Sequence, residues 1–169
     1  MSGGVRGARQ GSLTIMAGGE PGVVDRVRGL LGTLGSCVLH VGGCGSGHAV
    51  TALNNLLSAT HLLITSEAMV AAGRFGLDVP TALQAINTSS GRSGSTEVKW
   101  PDFILTGSCD SDFALTLMLK DMRLALELIE STGSRADLTR ASIGLWNEAA
   151  NALGPDADHT EIARWLTPS

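Results

Sequence analysis

The apolar run from Leu56 to Ala72, interrupted by Ser58, His61, Ser66 and Glu67, constrains the fold more than any other part of this sequence. It lies in a proline-free segment from about His48 to Arg74 that stops near Gly73 and Gly76, and it reads as one long helix. Apolar residues occupy most of its circumference, so other helices must cover it. In a chain of 169 residues the remaining helices fall short of that, and a second copy is expected to complete the cover as a symmetric dimer. The polar interruptions favour a core helix of a soluble, cytoplasmic protein over a membrane span.

Two segments read as strands, Ser12 to Ala17 and Cys37 to Val41, each ending in a Gly-Gly pair. Between them Val23, Val24, Val27, Leu30, Leu31 and Leu34 recur at helical spacing, with Pro21 placed to open the helix. Residues 1–46 therefore form a β-α-β unit too small to be a sheet by itself, and residues 47–169 a helical domain. Beyond the long helix, further helices are predicted over 80–88, 96–105, 113–131, 136–153 and 158–166. Asp78-Val-Pro-Thr81 marks a helix start, Ser111-Asp112 is expected to cap the helix after it, and Asp158 with Glu161 has capping-box spacing.

Hydrophobic residues make up 43% and charged residues 17% of the chain, a globular balance. The net charge of −4 and the absence of any Lys/Arg run argue against nucleic acid or anionic membrane as partners. Cys37, Cys44 and Cys109 form no CxxC pair, which fits a reducing compartment and no zinc site. MSGGVRGARQ has no apolar core of the kind a signal peptide needs. Cys44 with His48 four residues on offers the spacing of a nucleophile–base pair, although a small residue in a glycine loop is the plainer reading, and His61 reads as a core histidine.

Five stretches, in order, resemble the β-hydroxyacid dehydrogenase family, in particular its 3-hydroxyisobutyrate and L-threonate dehydrogenase members. They are Ser2 to Ala8 (SGGVRGA), Ser12 to Gly19 (SLTIMAGG), His40 to Asn55 (HVGGCGSGHAVTALNN), Phe113 to Ala125 (FALTLMLKDMRLA) and Asp158 to Leu166 (DHTEIARWL). The resemblance implies a mostly α fold, a helical bundle like the C-terminal part of 6-phosphogluconate dehydrogenase, with a long dimer-forming helix. A small β-α-β remnant of a dinucleotide-binding domain precedes it.

It also implies a set of site residues. Ser2, Gly3 and Gly4 match the family's substrate-binding glycine motif. Thr51 stands where the family has its catalytic lysine, four residues before Asn55, and Lys120 matches a lysine near the nicotinamide end of the cofactor. The sequence departs from the family in two ways: the Rossmann domain with GxGxxG is expected to be mostly lacking, and threonine replaces the lysine. Gly42-Gly-Cys-Gly-Ser-Gly47 does not open a first βαβ unit and is read as a tight strand-to-helix connection. A threonine hydroxyl stays neutral and suits proton transfer poorly, so Thr51 is expected to act as a hydrogen-bond donor. No cofactor is expected for the chain alone, NAD(P) if a Rossmann domain is supplied, and no metal.

Three functions follow. The first is a repurposed helical domain that binds a small or medium carbonyl or carboxylate molecule and catalyses a cofactor-free step such as isomerisation or cyclisation. The second is an NAD(P)-dependent β-hydroxyacid dehydrogenase or reductase half whose Rossmann part comes from a partner chain or is missing from this sequence. The third is a non-catalytic dimerisation module or a decayed fragment.

Overall fold

The computed structural model describes residues 1–167. The chain packs as two compact units, residues 1–55 and 56–169, and the longest helix carries the division.

In the first unit a short helix, α1 (Gly4–Gln10), is closed by Gly11 at φ 62. The predicted strands follow as β1 (Thr14–Ala17) and β2 (Cys37–His40), joined by α2 (Pro21–Leu31) with proline in its first turn. They are parallel, with Thr14 opposite Cys37 and Ala17 opposite His40. Ser2 adds an antiparallel bridge, exchanging both backbone hydrogen bonds with Thr14 at 2.9 Å. Ile15, Val24 and Ala52 are buried apolar residues of this unit. Val23, Val27, Leu30 and Leu34, a helically spaced stripe, remain exposed.

The helix α3 (Ser46–Phe75) spans 30 residues, in keeping with its proline-free, largely apolar sequence. Its length and composition would suffice to cross a membrane. Two of its polar side chains bond other protein groups: Thr60 pairs with Ser142 at 3.4 Å, and Ser66 accepts from the Trp100 indole at 3.2 Å. His61, expected in the core, is exposed; its face of α3 lacks the cover that Leu62 and Leu63 receive.

The second unit adds α4 (Val79–Asn87), a π-helix (Ser95–Ile104), α5 (Leu115–Ser131), α6 (Asp137–Leu153), a 3₁₀ turn (His159–Glu161) and α7 (Ile162–Trp165). Asp78 caps α4 by accepting from the Thr81 amide at 3.0 Å. The segment predicted as an ordinary helix over 96–105 is wound wider because Pro101 lies inside it. Proline has no N–H for the regular ladder, and the Leu105 amide instead reaches five residues back to the Trp100 carbonyl at 2.9 Å. The expected Ser111-Asp112 cap does not form. Ala114 is the N-cap of α5, with no side-chain cap, because Ser111 is turned to Asp158. Leu62, Leu115, Met122, Trp146 and Ile162 are fully buried and form the core of this unit. The fold is thus a mostly α bundle with one two-stranded parallel sheet.

Candidate functional site

In the first unit, the end of β1 and the start of α3 cross at backbone contact. A Cβ on Gly47 would sit 2.3 Å from the Met16 carbonyl oxygen, and one on Gly18 would sit 2.6 Å from that of Gly43. Only glycine fits at either place. Around the loop, the Ser46 amide bonds the Gly43 carbonyl at 3.1 Å, the Ala49 amide that of Gly45 at 3.0 Å, and the Gly19 amide that of Gly42 at 2.8 Å. Gly18 and Gly47 therefore serve close packing of strand and helix.

Thr51 follows one turn into α3. Its hydroxyl donates to the Gly47 carbonyl four residues back, at 2.8 Å, and lies 3.6 Å from the Met16 sulfur. The proton is thus committed to the helix backbone, a common local bond for threonine, and what faces a ligand is an acceptor oxygen. The Met1 amino nitrogen approaches the same hydroxyl at 3.3 Å, which brings the Ser2-Gly3-Gly4 segment and Thr51 together. Gly3 and Gly4 take φ of 127 and 59, and Ser2 is held by its bridge to Thr14. The segment that resembles the family's glycine motif therefore leads into α1. Asn55, one turn beyond Thr51, accepts at Oδ1 from the Asn54 side-chain Nδ2 at 3.2 Å.

Lys120 lies in the second unit, on α5. It is exposed and ion-paired with its neighbour Asp121 at 3.1 Å, an arrangement worth little to stability.

Sequence reasoning passed over a denser polar cluster in this unit. The buried His159 shares its Nδ1 with the Phe113 carbonyl at 3.2 Å and the Ser111 hydroxyl at 2.9 Å. Ser111 spends its proton on Asp158, at 2.8 Å to Oδ2. Nδ1 must therefore carry the imidazole hydrogen, which leaves Nε2 as a bare acceptor; Nε2 is buried and has no protein partner. Burial, and then the charge of Lys99, push the His159 pKa down to about 4, against the opposing pull of Asp158. Asp158 also accepts from the Phe113 and Thr160 amides at 3.2 and 2.9 Å. Burial pushes its pKa up, but the bonds from the Thr160 hydroxyl and amide and from Ser111 hold it below the usual value. Lys99 donates to Ser58 at 2.6 Å, and burial lowers its pKa to about 8. The DHTE spacing gave away the capping half of this cluster, Asp158 with Glu161. Nothing in the local sequence around Lys99 announces its surroundings.

The family described as "NAD-binding of NADP-dependent 3-hydroxyisobutyrate dehydrogenase" matches residues 45–166. The one described as "NAD binding domain of 6-phosphogluconate dehydrogenase" matches residues 1–42. The chain is 40% identical over 127 residues to 2-(hydroxymethyl)glutarate dehydrogenase of Eubacterium barkeri, covering 75% of this chain and 42% of that protein. It is 39% identical over 138 residues to the mitochondrial 3-hydroxyisobutyrate dehydrogenase of Rattus norvegicus, covering 78% of this chain and 41% of that one. A solved structure of Mycobacterium tuberculosis 3-hydroxyisobutyrate dehydrogenase with L-serine superposes with a TM-score of 0.89 at 26% identity. That superposition covers 99% of this chain and 59% of the solved one. The chain thus spans about two-fifths of the length of the curated relatives it matches. With the family match extending over most of the sequence and the fold in agreement, the chain belongs to the 3-hydroxyisobutyrate dehydrogenase family.

Proposed function

We propose that this chain binds a small carboxylate or carbonyl compound at the end of β1, using the Ser2-Gly3-Gly4 segment, Thr51 and Asn55, and that by itself it performs no hydride transfer. The observation that carries this reading is the Thr51 hydroxyl bonded back to the Gly47 carbonyl at 2.8 Å. Such a group accepts a hydrogen bond and offers neither the positive charge nor the mobile proton that a lysine ammonium supplies. A cofactor-free step such as isomerisation or cyclisation is the chemistry left to a site of this kind. L-serine, present in the related Mycobacterium tuberculosis structure, and 3-hydroxyisobutyrate are the probes. Calorimetric titration should show binding of one of them that weakens about tenfold in Asn55→Ala, the loss of roughly one hydrogen bond to a charged group. No binding of either compound, or binding indifferent to Asn55, removes the reading. Lys120 is tested separately by Lys120→Ala.

The apolar side of α3 supports a homodimer. Leu57, Ile64 and Phe75 are exposed along it, and the exposed Leu138 lines a groove together with Ile64, Glu67 and Ala141. Isolated apolar residues are ordinary on a surface, whereas a run of them along one helix marks a contact.

A second reading keeps redox chemistry, with a dinucleotide-binding partner supplied by another chain. The exposed stripe Val23, Val27, Leu30 and Leu34 on α2 favours it, because a two-stranded sheet with an apolar helix face is an unfinished layer. Titration with NADPH followed by nucleotide fluorescence separates the two. Micromolar binding by the chain alone restores the redox reading; no binding at millimolar nucleotide leaves it dependent on a partner.

A further inference from the structure

Along α3 the residues Leu57, His61, Ile64, Ala68, Ala71 and Phe75 are all exposed. Their spacing alternates between four and three, the heptad period that keeps a seam on one side of a helix. Leu62, Leu63, Ser66 and Met69, which lie between them, are buried within the chain. The stripe is therefore a second seam on a helix that already packs by its other residues. Glu67 and Arg74 flank it, one heptad apart, each directly before a seam residue. Both are exposed, and neither makes an ion pair with another described residue. Glu67 also borders two grooves, one lined by Ile64 and Leu138, the other by Ala71, Phe75 and Leu166.

We propose that α3 crosses the α3 of a second copy antiparallel over residues 64–75, about a two-fold axis between Ala68 and Ala71. This rests on the homodimer reading above and adds its orientation and register. Ala68 then meets the partner's Ala71, and Ile64 meets the partner's Phe75. Two alanines at the centre let the helix axes approach closely. The partner's Phe75 enters the groove of Ile64 and Leu138, and the partner's Ile64 that of Phe75 and Leu166. Leu57 and His61 fall beyond the end of the partner's helix.

Charge selects this orientation. In the antiparallel register Glu67 lies two residues' rise, about 3 Å along the axis, from level with the partner's Arg74. The two-fold repeats the contact, so two opposite-charge pairs form. A parallel pairing sets Glu67 against the partner's Ala72 and carries Arg74 past the end of the partner's helix, with no opposite charge for either. The seam is complementary to itself only one way round.

Sedimentation velocity on the full chain tests the register with the wild type, Glu67→Lys, Arg74→Glu and an equimolar mixture of the two variants. Each variant alone places like charges at both pairs and should dimerise about tenfold more weakly than the wild type. In the mixture the introduced lysine faces the introduced glutamate, and the native Glu67 faces the native Arg74. The mixed dimer should therefore recover the wild-type affinity within about threefold; two misfolded chains could not rescue each other. Variants that dimerise as tightly as the wild type overturn the register and leave the dimer standing. A mixture no tighter than its components does the same. A wild type that stays monomeric removes the homodimer reading, and the register with it.

Discussion

The indole of Trp100 donates to Ser66 Oγ at 3.2 Å, and Ser66 in turn donates to the Leu62 carbonyl at 2.7 Å, so one buried hydroxyl ties the π-helix to α3. Both residues are buried. Ser66→Ala removes the acceptor and leaves a desolvated N–H, at a cost of about 1–3 kcal/mol. The urea midpoint should fall with the slope unchanged. Trp100→Phe in the Ser66→Ala background should cost less than in the wild type, because the orphaned donor leaves with it. Strict additivity of the two changes would mean the bond contributes nothing.

The β1–α3 crossing makes a sharper prediction. At Gly47 an added methyl meets the Met16 carbonyl at 2.3 Å, while at Gly43 it meets nothing within 4 Å. Gly47→Ala should lower stability by more than about 2 kcal/mol, through forced backbone movement. Gly43→Ala in the same loop should be close to neutral. Equal melting temperatures for the two variants would show that the glycine pattern has another purpose.

That pair of glycines also shows what the sequence makes legible. Gly-Gly after each strand and Gly47 before a long apolar run announce a tight strand-to-helix passage, and the structure has one. The long helix, the two strands and the Asp158–Glu161 box are local patterns, and each stands within a few residues of its expected place. α1 was not legible because Gly4 and Gly7 carry no helix propensity; the helix is held by the Ser2–Thr14 bridge before it and the left-handed Gly11 after it. At the site, the position of Thr51 was legible, but its back-bond to Gly47 depends on a rotamer that spacing does not set. The surroundings of Lys99 come from Ser58 and the Asp158 loop, 41 residues back in the chain for Ser58, and no local pattern reports such a meeting.

On α3, Ile64 is 58% exposed in a helix whose neighbouring Leu62 and Leu63 are buried. If a second copy covers this face, Ile64→Asp places a charge in an apolar contact and should shift the molar mass from dimer to monomer by light scattering. The circular dichroism spectrum should stay unchanged, since Ile64 contributes little to the core of its own chain. A monomeric wild type at the same concentration rules out the dimer; a variant that remains dimeric moves the interface elsewhere.

The buried imidazole of His159 sets the acid limit of stability. Its folded pKa, about 4, lies below the ordinary value of 6.5, with burial the main cause and Lys99 the second. Between those two values the unfolded chain takes up a proton that the folded chain refuses. Stability is therefore full above about pH 6.5 and falls as the pH drops toward 4, by an amount on the order of 2–3 kcal/mol. The depressed pKa of Asp158 acts in the same direction at lower pH, where its bonds from Ser111 and Thr160 are lost on protonation. Lys99→Met removes one of the causes acting on His159, so its imidazole pKa, followed by NMR, should rise while staying below 6.5. The variant should also hold more of its neutral stability at pH 5 than the wild type does, because less of the proton is refused. An unchanged His159 titration in Lys99→Met would mean that the ammonium lies too far away, or is too well solvated, to act on the imidazole.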